Sequence, residues 1–342
     1  MENKIVFVSK ATRAILPILA LVLSVFCTGQ FARSQSSSTS LDTEMKFWKA
    51  NGFECNLSGA QFPSKEIKGH ADQCDDGDMT LFNGLLCSAG LEEACLAVKN
   101  SQDAQGRWWR SPRRIGIEAP TSDVSFSPDQ SLGVLLYAEH KNDGPAFSKW
   151  LSWIEGNRPC LATLGDRCLQ KGWLRFCTDD ADKRCTLRPA DCERIEAVAK
   201  KLGVDGNLCR RVLDELHMSA ERWPPLEDWT LSSSIINDIG YPLHLAAVSL
   251  YLEKLLGANG AKLDIAAKTL KLRDADNPFF GYLADGATSD VMSKVLVSCP
   301  AEDRLSTNRF QWTWERKSKP DEYSDSMYWD CIFMGKLLGS NI

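Results

Sequence analysis

The chain has 342 residues, with 40 Lys and Arg against 45 Asp and Glu for a formal charge of −5, and 44% of its residues are apolar. That length supports one large domain or two small ones, and the ordinary composition excludes a fibrous or low-complexity chain. The mildly acidic balance, with no long basic run, argues against nucleic acid or an anionic membrane surface as a main partner.

The first element in chain order is a leader. Lys4, Lys10 and Arg13 precede an apolar run from Ala14 to Phe26 of about 13 residues, short of the roughly 20 that span a bilayer as a helix. A Ser-rich stretch from Ser34 to Ser40 follows instead of a stop-transfer pattern. The expected organisation is a signal peptide over 1–34, cut near Ala32 to Ser34, a linker over 35–45 and one domain over 46–342. Lipidation of Cys27 is disfavoured by bulky Phe26 before it, an uncleaved anchor is the remaining alternative, and no stable membrane insertion is expected after cleavage.

Beyond the leader the cysteines form three clusters with even numbers of members: Cys55, Cys74, Cys87 and Cys95; Cys160, Cys168, Cys177, Cys185, Cys192 and Cys209; and Cys299 with Cys331. Even clusters predict disulfides, and disulfides persist in oxidising compartments, so a periplasmic or secreted protein is expected. No paired Cys-x-x-Cys occurs and the chain holds four histidines, so no metal site and no cofactor is expected.

Apolar periodicity predicts a mostly helical chain. Helices are expected at about 79–89 and 91–101, and another begins at Ser127, where Ser-Pro-Asp-Gln supplies a cap, a proline at the first helical position and a glutamine three residues on. Its partner is expected at 145–155, with further helices at 189–202, 206–217, 242–256, 262–272, 288–298 and 325–338. Short connections favour antiparallel hairpins, and the recurring order of helix, aromatic loop, helix suggests an all-α fold, an α/α toroid of helical hairpins. The segment at about 157–229, with six cysteines and several prolines, reads as a disulfide-stapled insertion; the alternative is that Cys192 and Cys209 sit on ordinary helices of the fold. Ser232, Ser233 and Ser234 read as a helix-capping loop.

Four segments set polar chemistry beside aromatics. Asp75-Asp76-Gly77-Asp78 crowds carboxylates on a turn before an apolar helix; Asp78 as a simple cap is the competing reading, and a calcium loop lacks the regular acidic spacing. Trp108 and Trp109 stand among Arg107, Arg110, Arg113 and Arg114, where indoles could stack on sugar rings and guanidiniums fork onto carboxylates or hydroxyls, or where the indoles plug the core. Asp129 lies in the first turn of the Ser127 helix, a position a helix dipole favours without any function. Arg309 to Arg316 alternates so that Trp312 and Trp314 share one face and Glu315 lies on the other if the segment is extended.

These segments resemble what six-hairpin glycosidases and related toroid polysaccharide-degrading enzymes display, Asp-Gly-rich and Trp-rich loops between helices. The resemblance covers the order of helices and loops over most of residues 70–335 and names only that broad class. It implies cleavage of a glycosidic bond by a pair of carboxyl groups, one giving a proton to the leaving oxygen and the other activating water or attacking the sugar. The expected activity is therefore an exported glycoside hydrolase acting on a polysaccharide or cell-envelope glycan. Its catalytic candidates are Asp76, Asp78, Asp129 and Glu315, and its substrate-binding candidates are Trp108, Trp109, Arg110, Arg113, Trp312 and Trp314.

Two alternatives stand beside it: a noncatalytic glycan-binding or envelope-assembly protein, and a polysaccharide lyase using His70, His244, Tyr241 or Tyr282 as base. A terpene cyclase, a Gly-x-Ser-x-Gly hydrolase, a phosphate-loop protein and a dinucleotide-binding protein lack their sequence signatures. A nucleophilic cysteine is disfavoured because the even set is better explained as bridged.

Overall fold

The computed structural model describes residues 40–67, 72–117, 126–178, 183–219, 223–302, 310–311, 316–317 and 327–340. These are mostly helical, as the periodicity predicts. In chain order the helices are α1 over 40–51, α2 (Met79–Ser88), α3 (Glu92–Lys99), α4 (Pro128–Lys141), α5 (Gly144–Gly156), α6 (Pro189–Leu202) and α7 (Leu208–Glu215). They continue with α8 (Leu226–Ile236), α9 (Tyr241–Leu255), α10 (Ala261–Arg273), α11 (Pro278–Asp285), α12 (Ser289–Ser298) and α13 (Met327–Leu337). Three antiparallel two-stranded hairpins interrupt them: β1 (Glu54–Leu57) with β2 (Ala60–Pro63), β3 (Cys160–Leu164) with β4 (Arg167–Lys171), and β5 (Phe310–Gln311) with β6 (Arg316–Lys317).

Local chemistry explains several boundaries. α6 begins on a proline whose missing N–H costs nothing in a first turn, Asp191 accepts the Arg188 amide at 2.9 Å, and Gly203 closes the helix in the left-handed conformation at φ 66°. Asn277 at the start of α11 accepts from the Phe279 and Phe280 amides, and Thr288 caps α12 through the Val291 amide.

Packing centres on three helices. All ten residues of α2 are buried, α4 is buried without a break from Gln130 to Ala138, and α9 is buried along most of its length from Leu243 to Glu253. α4 touches α2, α3, α5, α6 and α9, while α10 lies across α8, α9 and α11. One apolar core runs from Leu41, Met45 and Trp48 in α1 to Trp329 and Met334 in α13, so helices distant in sequence share a single interior.

The closest approach is between α2 and α4. A Cβ on Gly84 would stand 2.3 Å from the Gly133 Cα, and one on Gly133 would stand 2.1 Å from the Thr80 carbonyl oxygen, so neither position accepts a side chain at this spacing. Backbone contact of this kind sets the starts of the two helices side by side.

Six disulfides join Cys55 to Cys74, Cys87 to Cys95, Cys160 to Cys168, Cys177 to Cys185, Cys192 to Cys209 and Cys299 to Cys331, each within the cluster expected to contain it. They suit an oxidising compartment. Among the described residues no helix is long and apolar enough to cross a membrane.

Three expectations need correction. The linker over 35–45 does not extend past residue 39, because α1 is helical from residue 40 and buries Leu41 and Met45. The stapled excursion is confined to the β3–β4 hairpin, whose residues are all exposed; Leu174, Phe176, Cys192 and Cys209 belong to the main core, the last two on α6 and α7. Ser232, Ser233 and Ser234 lie inside α8, where Ser234 Oγ donates to the Leu231 carbonyl and thereby satisfies its hydroxyl within the helix.

Candidate functional site

Three of the four motif-bearing segments meet where α2 and α4 begin. The first is the acidic turn, pinned to β1 by the Cys55–Cys74 bridge. Asp75 Oδ1 accepts the Gly77 amide at 2.6 Å, folding the turn, and its other oxygen pairs with Lys65 Nζ at 2.6 Å. That pair is nearly buried, with side-chain exposures of 9% and 11%, so each charge depends on the other.

Arg110 is the centre of the cluster. Its Nη1 donates to the Gly77 carbonyl at 2.8 Å and to Asp78 Oδ1 at 3.0 Å, and its Nη2 donates to Ser127 Oγ at 2.9 Å. Gln130 closes the arrangement: its amide nitrogen donates to Asp78 Oδ1 at 3.0 Å, and its oxygen accepts the Leu81 amide at 3.2 Å. The backbone joins as well, since the Thr80 amide donates to the Arg110 carbonyl at 2.8 Å and the Thr80 hydroxyl to the Trp109 carbonyl at 2.5 Å.

Both helix starts depart from local capping. Asp78 precedes α2 and Ser127 precedes α4, yet neither side chain accepts from its own helix. Each is turned toward Arg110, and the free amides of α2 are met by partners from other segments. Forgoing a cap costs about 0.5–2 kcal/mol, and structures tolerate such a loss where another requirement overrides local preference.

Around this centre lie the other candidates. Ser111 Oγ donates to Asp76 Oδ1 at 2.7 Å, and Arg113 Nη2 stands 3.6 Å from Asp76 while pairing with Asp72 at 2.5 Å. The Cys74 amide, and then Arg113, hold the Asp72 carboxyl below its ordinary range. Asp129, one residue before Gln130, accepts from the Tyr241 hydroxyl at 2.6 Å, which brings the start of α9 to the start of α4. Asp76 and Asp129 are both partly exposed.

Trp108 and Trp109 do not form an open sugar platform. Trp108 is 1% exposed, donates from Nε1 to the Val98 carbonyl at 2.8 Å, and meets Tyr137 and Trp150 edge to face. Trp109 is 7% exposed, donates to Asp103 Oδ2 at 2.9 Å, and carries the Arg107 guanidinium over its ring at 3.8 Å. The buried indoles fix the loop so that Arg110 emerges toward the helix starts. Trp312, Trp314, Glu315 and His70 lie outside the described residues.

His244 is fully buried and stacks against Tyr241, with ring centroids 6.0 Å apart. Tyr282 is half-buried, and burial pushes its phenol above the ordinary value. Among the described residues the one grouping with metal-ligand spacing is Cys87, Cys95 and His140, and its two sulfurs are already joined to each other. The residues that sequence reasoning left out of the site are Lys65, Ser111, Ser127 and Gln130; the last two carried a signal, but it read as local capping.

Comparison with known proteins returns no match: no family model, no curated protein and no solved structure matches the chain.

Proposed function

We propose that the protein is an exported glycoside hydrolase whose site lies over the paired starts of α2 and α4, with Asp129 and Asp76 as its carboxyl groups. The observation that supports this reading is the meeting of the acidic turn, the Arg110 loop and the Ser127–Gln130 helix start on one guanidinium. Asp78 has the role of a positioning residue, because Arg110 and Gln130 share its Oδ1 and Lys65 stands 3.9 Å from its Oδ2. Tyr241 orients Asp129, and Arg113 is the group to orient a sugar substituent or a uronate beside Asp76. Glu315, Trp312 and Trp314, outside the described residues, stay candidates on their sequence pattern alone.

A six-hairpin toroid places its groove among the inner helices. Here α2, α4 and α9 are buried along their length. The arrangement we propose is accordingly a helical array that carries the glycan across helix starts rather than down a central funnel. Export rests on the leader together with the six disulfides.

The test is release of reducing ends from a panel of cell-envelope and plant polysaccharides by the oxidised protein. Asp129→Asn is expected to lower the rate about a hundredfold or more, as loss of an acid or base does, with the thermal midpoint nearly unchanged. Wild-type rates in both Asp129→Asn and Asp76→Asn sink the hydrolase reading.

A noncatalytic glycan-binding protein is the second reading. It is favoured because Asp76 and Asp129 already accept hydrogen bonds from Ser111 and Tyr241, geometry suited to fixed recognition. Retained affinity with no product after long incubation selects it. The lyase alternative, with Tyr241 as base, is selected instead by the ultraviolet absorbance of an unsaturated uronide.

A further inference from the structure

A second locus lies well apart in sequence from that site. A cavity of about 680 Å³ opens between α6, α8, the end of α9 and α10, a volume within the range of small-molecule pockets. Its apolar walls are Leu226, Leu256 and Leu263. Lys200 and Lys201 stand on the α6 side, both exposed, and Glu227 lines the α8 side.

Glu253 also lines this cavity although the residue is 3% exposed. Its Oε1 accepts from the Thr230 hydroxyl, and among the described residues its Oε2 has no hydrogen-bond partner. A carboxylate on a residue this far inside the fold is costly unless it is protonated or met by a ligand.

The charges acting on Glu253 are few. Arg194 of α6 attracts it but is engaged by Asp191 at 3.1 Å; Glu227 of α8 repels it but pairs with Lys262 of α10 at 3.1 Å. Glu139 of α4 and Tyr282 of α11 act on Tyr251, two residues earlier. Burial therefore dominates and pushes the Glu253 carboxyl up to about 7. Below neutrality it offers a proton, and the same cavity is lined by two lysines on the α6 side and by Glu227 on the α8 side.

We propose that this cavity binds a small organic acid, whose carboxylate pairs with Lys200 and Lys201, whose body lies on Leu226, Leu256 and Leu263, and whose second, acceptor oxygen takes a hydrogen bond from the Glu253 carboxyl. With Glu227 held by Lys262, the two lysines favour an anionic ligand over a cationic one, and the carboxyl in the wall selects for an oxygen acceptor over a methyl group at the same position. The site is separate from the helix-start cluster, and its occupancy does not depend on any glycan activity.

The test is calorimetric titration of the full, oxidised protein with para-acetylbenzoate, para-ethylbenzoate and para-acetylbenzylamine. At pH below the Glu253 transition, para-acetylbenzoate is expected to bind about tenfold more tightly than para-ethylbenzoate, the worth of one hydrogen bond, and the amine not to bind. Affinity for para-acetylbenzoate should fall as pH rises through neutrality, since an ionised Glu253 repels an acceptor oxygen. Glu253→Gln keeps a donor and should bind with no such fall, whereas Glu253→Leu should bind the acetyl and ethyl compounds equally. The double reversal Lys200→Glu with Lys201→Glu, on exposed positions, should abolish binding of both benzoates while leaving glycan cleavage unaltered. Failure of wild-type protein to bind either benzoate at millimolar concentration overturns the proposal. So does binding that survives the lysine reversals, or that keeps its pH dependence in Glu253→Gln.

Discussion

At the starts of α2 and α4, the side chains of Lys65, Asp75, Asp76, Asp78, Arg110 and Gln130 each meet a partner from a different stretch of chain. In the cavity between α6, α8 and α9, Glu253 lines the wall and has Thr230 on one of its oxygens. Both regions bury polar groups, but they use them differently. A closed network fixes backbone segments relative to one another, so its removal is felt as lost structure; a group with spare hydrogen-bonding capacity waits for a proton or a ligand and is felt through pH and binding. The comparison separates what each region contributes to holding the fold from what it has available for chemistry.

The largest effect expected from breaking the first region is that of Arg110→Ala. It leaves Asp78 with one partner fewer and Ser127 without its donor, in a setting where the arginine is 11% and the aspartate 23% exposed. Removing one member of such a pair costs about 3–5 kcal/mol, to be read from the denaturant midpoint. Arg110→Lys keeps the charge but loses the fork that reaches both helix starts, so it should recover only part of the loss. Full recovery by lysine would mean that charge alone, not the bridge between α2 and α4, is what the position needs.

The second region should answer to pH. The Glu253 carboxyl sits at about 7 in the folded protein, raised from an ordinary 4.5 by burial. The folded state therefore binds this proton more tightly than the unfolded chain does. The resulting stabilisation is complete below the ordinary value and is lost as pH climbs from there to neutrality, by up to about 3 kcal/mol. Glu253→Gln should flatten that part of the stability curve. An unchanged slope in the variant would place the titration elsewhere and remove the contrast between the regions.

How far these regions could be read from the chain differs for physical reasons. α6 was legible to the residue because Pro189, Asp191 and Gly203 encode its ends locally. α8 and α11 were not: the first follows Pro224-Pro225 and carries three serines, the second is eight residues long and contains Gly281, and tertiary packing rather than propensity makes both helical. The acidic turn, the Arg110 loop and the Ser127 helix start were each recognisable as unusual. Their meeting was not, since it depends on the glycine contact between Gly84 and Gly133. Trp108 and Trp109 could be read as a sugar platform or as core plugs, because a sequence does not tell which face of an irregular segment turns inward; both are buried. Glu253 carried no signal at all; between Leu252 and Lys254 near a helix end it reads as one of many surface charges.

The glycine contact is the next largest test. Gly133→Ala places a methyl group 2.1 Å from the Thr80 carbonyl oxygen and 2.6 Å from the Leu81 Cα, so α2 and α4 must separate. Overpacking of this kind costs about 1–3 kcal/mol, and it should weaken the Gln130 links to Leu81 and Asp78 at the same time. Gly156→Ala is the matched control: nothing lies within 4 Å of the added carbon, and a helical alanine should stabilise by about 0.5–1 kcal/mol. Equal behaviour of the two variants would contradict the close approach on which the helix-start site depends.

The smallest expected change in stability is the most informative about function. Tyr241→Phe removes a single hydroxyl, the donor to Asp129 at 2.6 Å, and leaves the ring in place against His244. Both partners are partly exposed, so water can take over the vacated position and the cost in unfolding free energy should be about 1 kcal/mol. If Asp129 works as acid or base, the same change should depress the rate on the responsive glycan well beyond that amount, because the hydroxyl sets the orientation of the carboxyl. If Asp129 merely occupies the first turn of α4 to suit the helix dipole, stability and rate will move together.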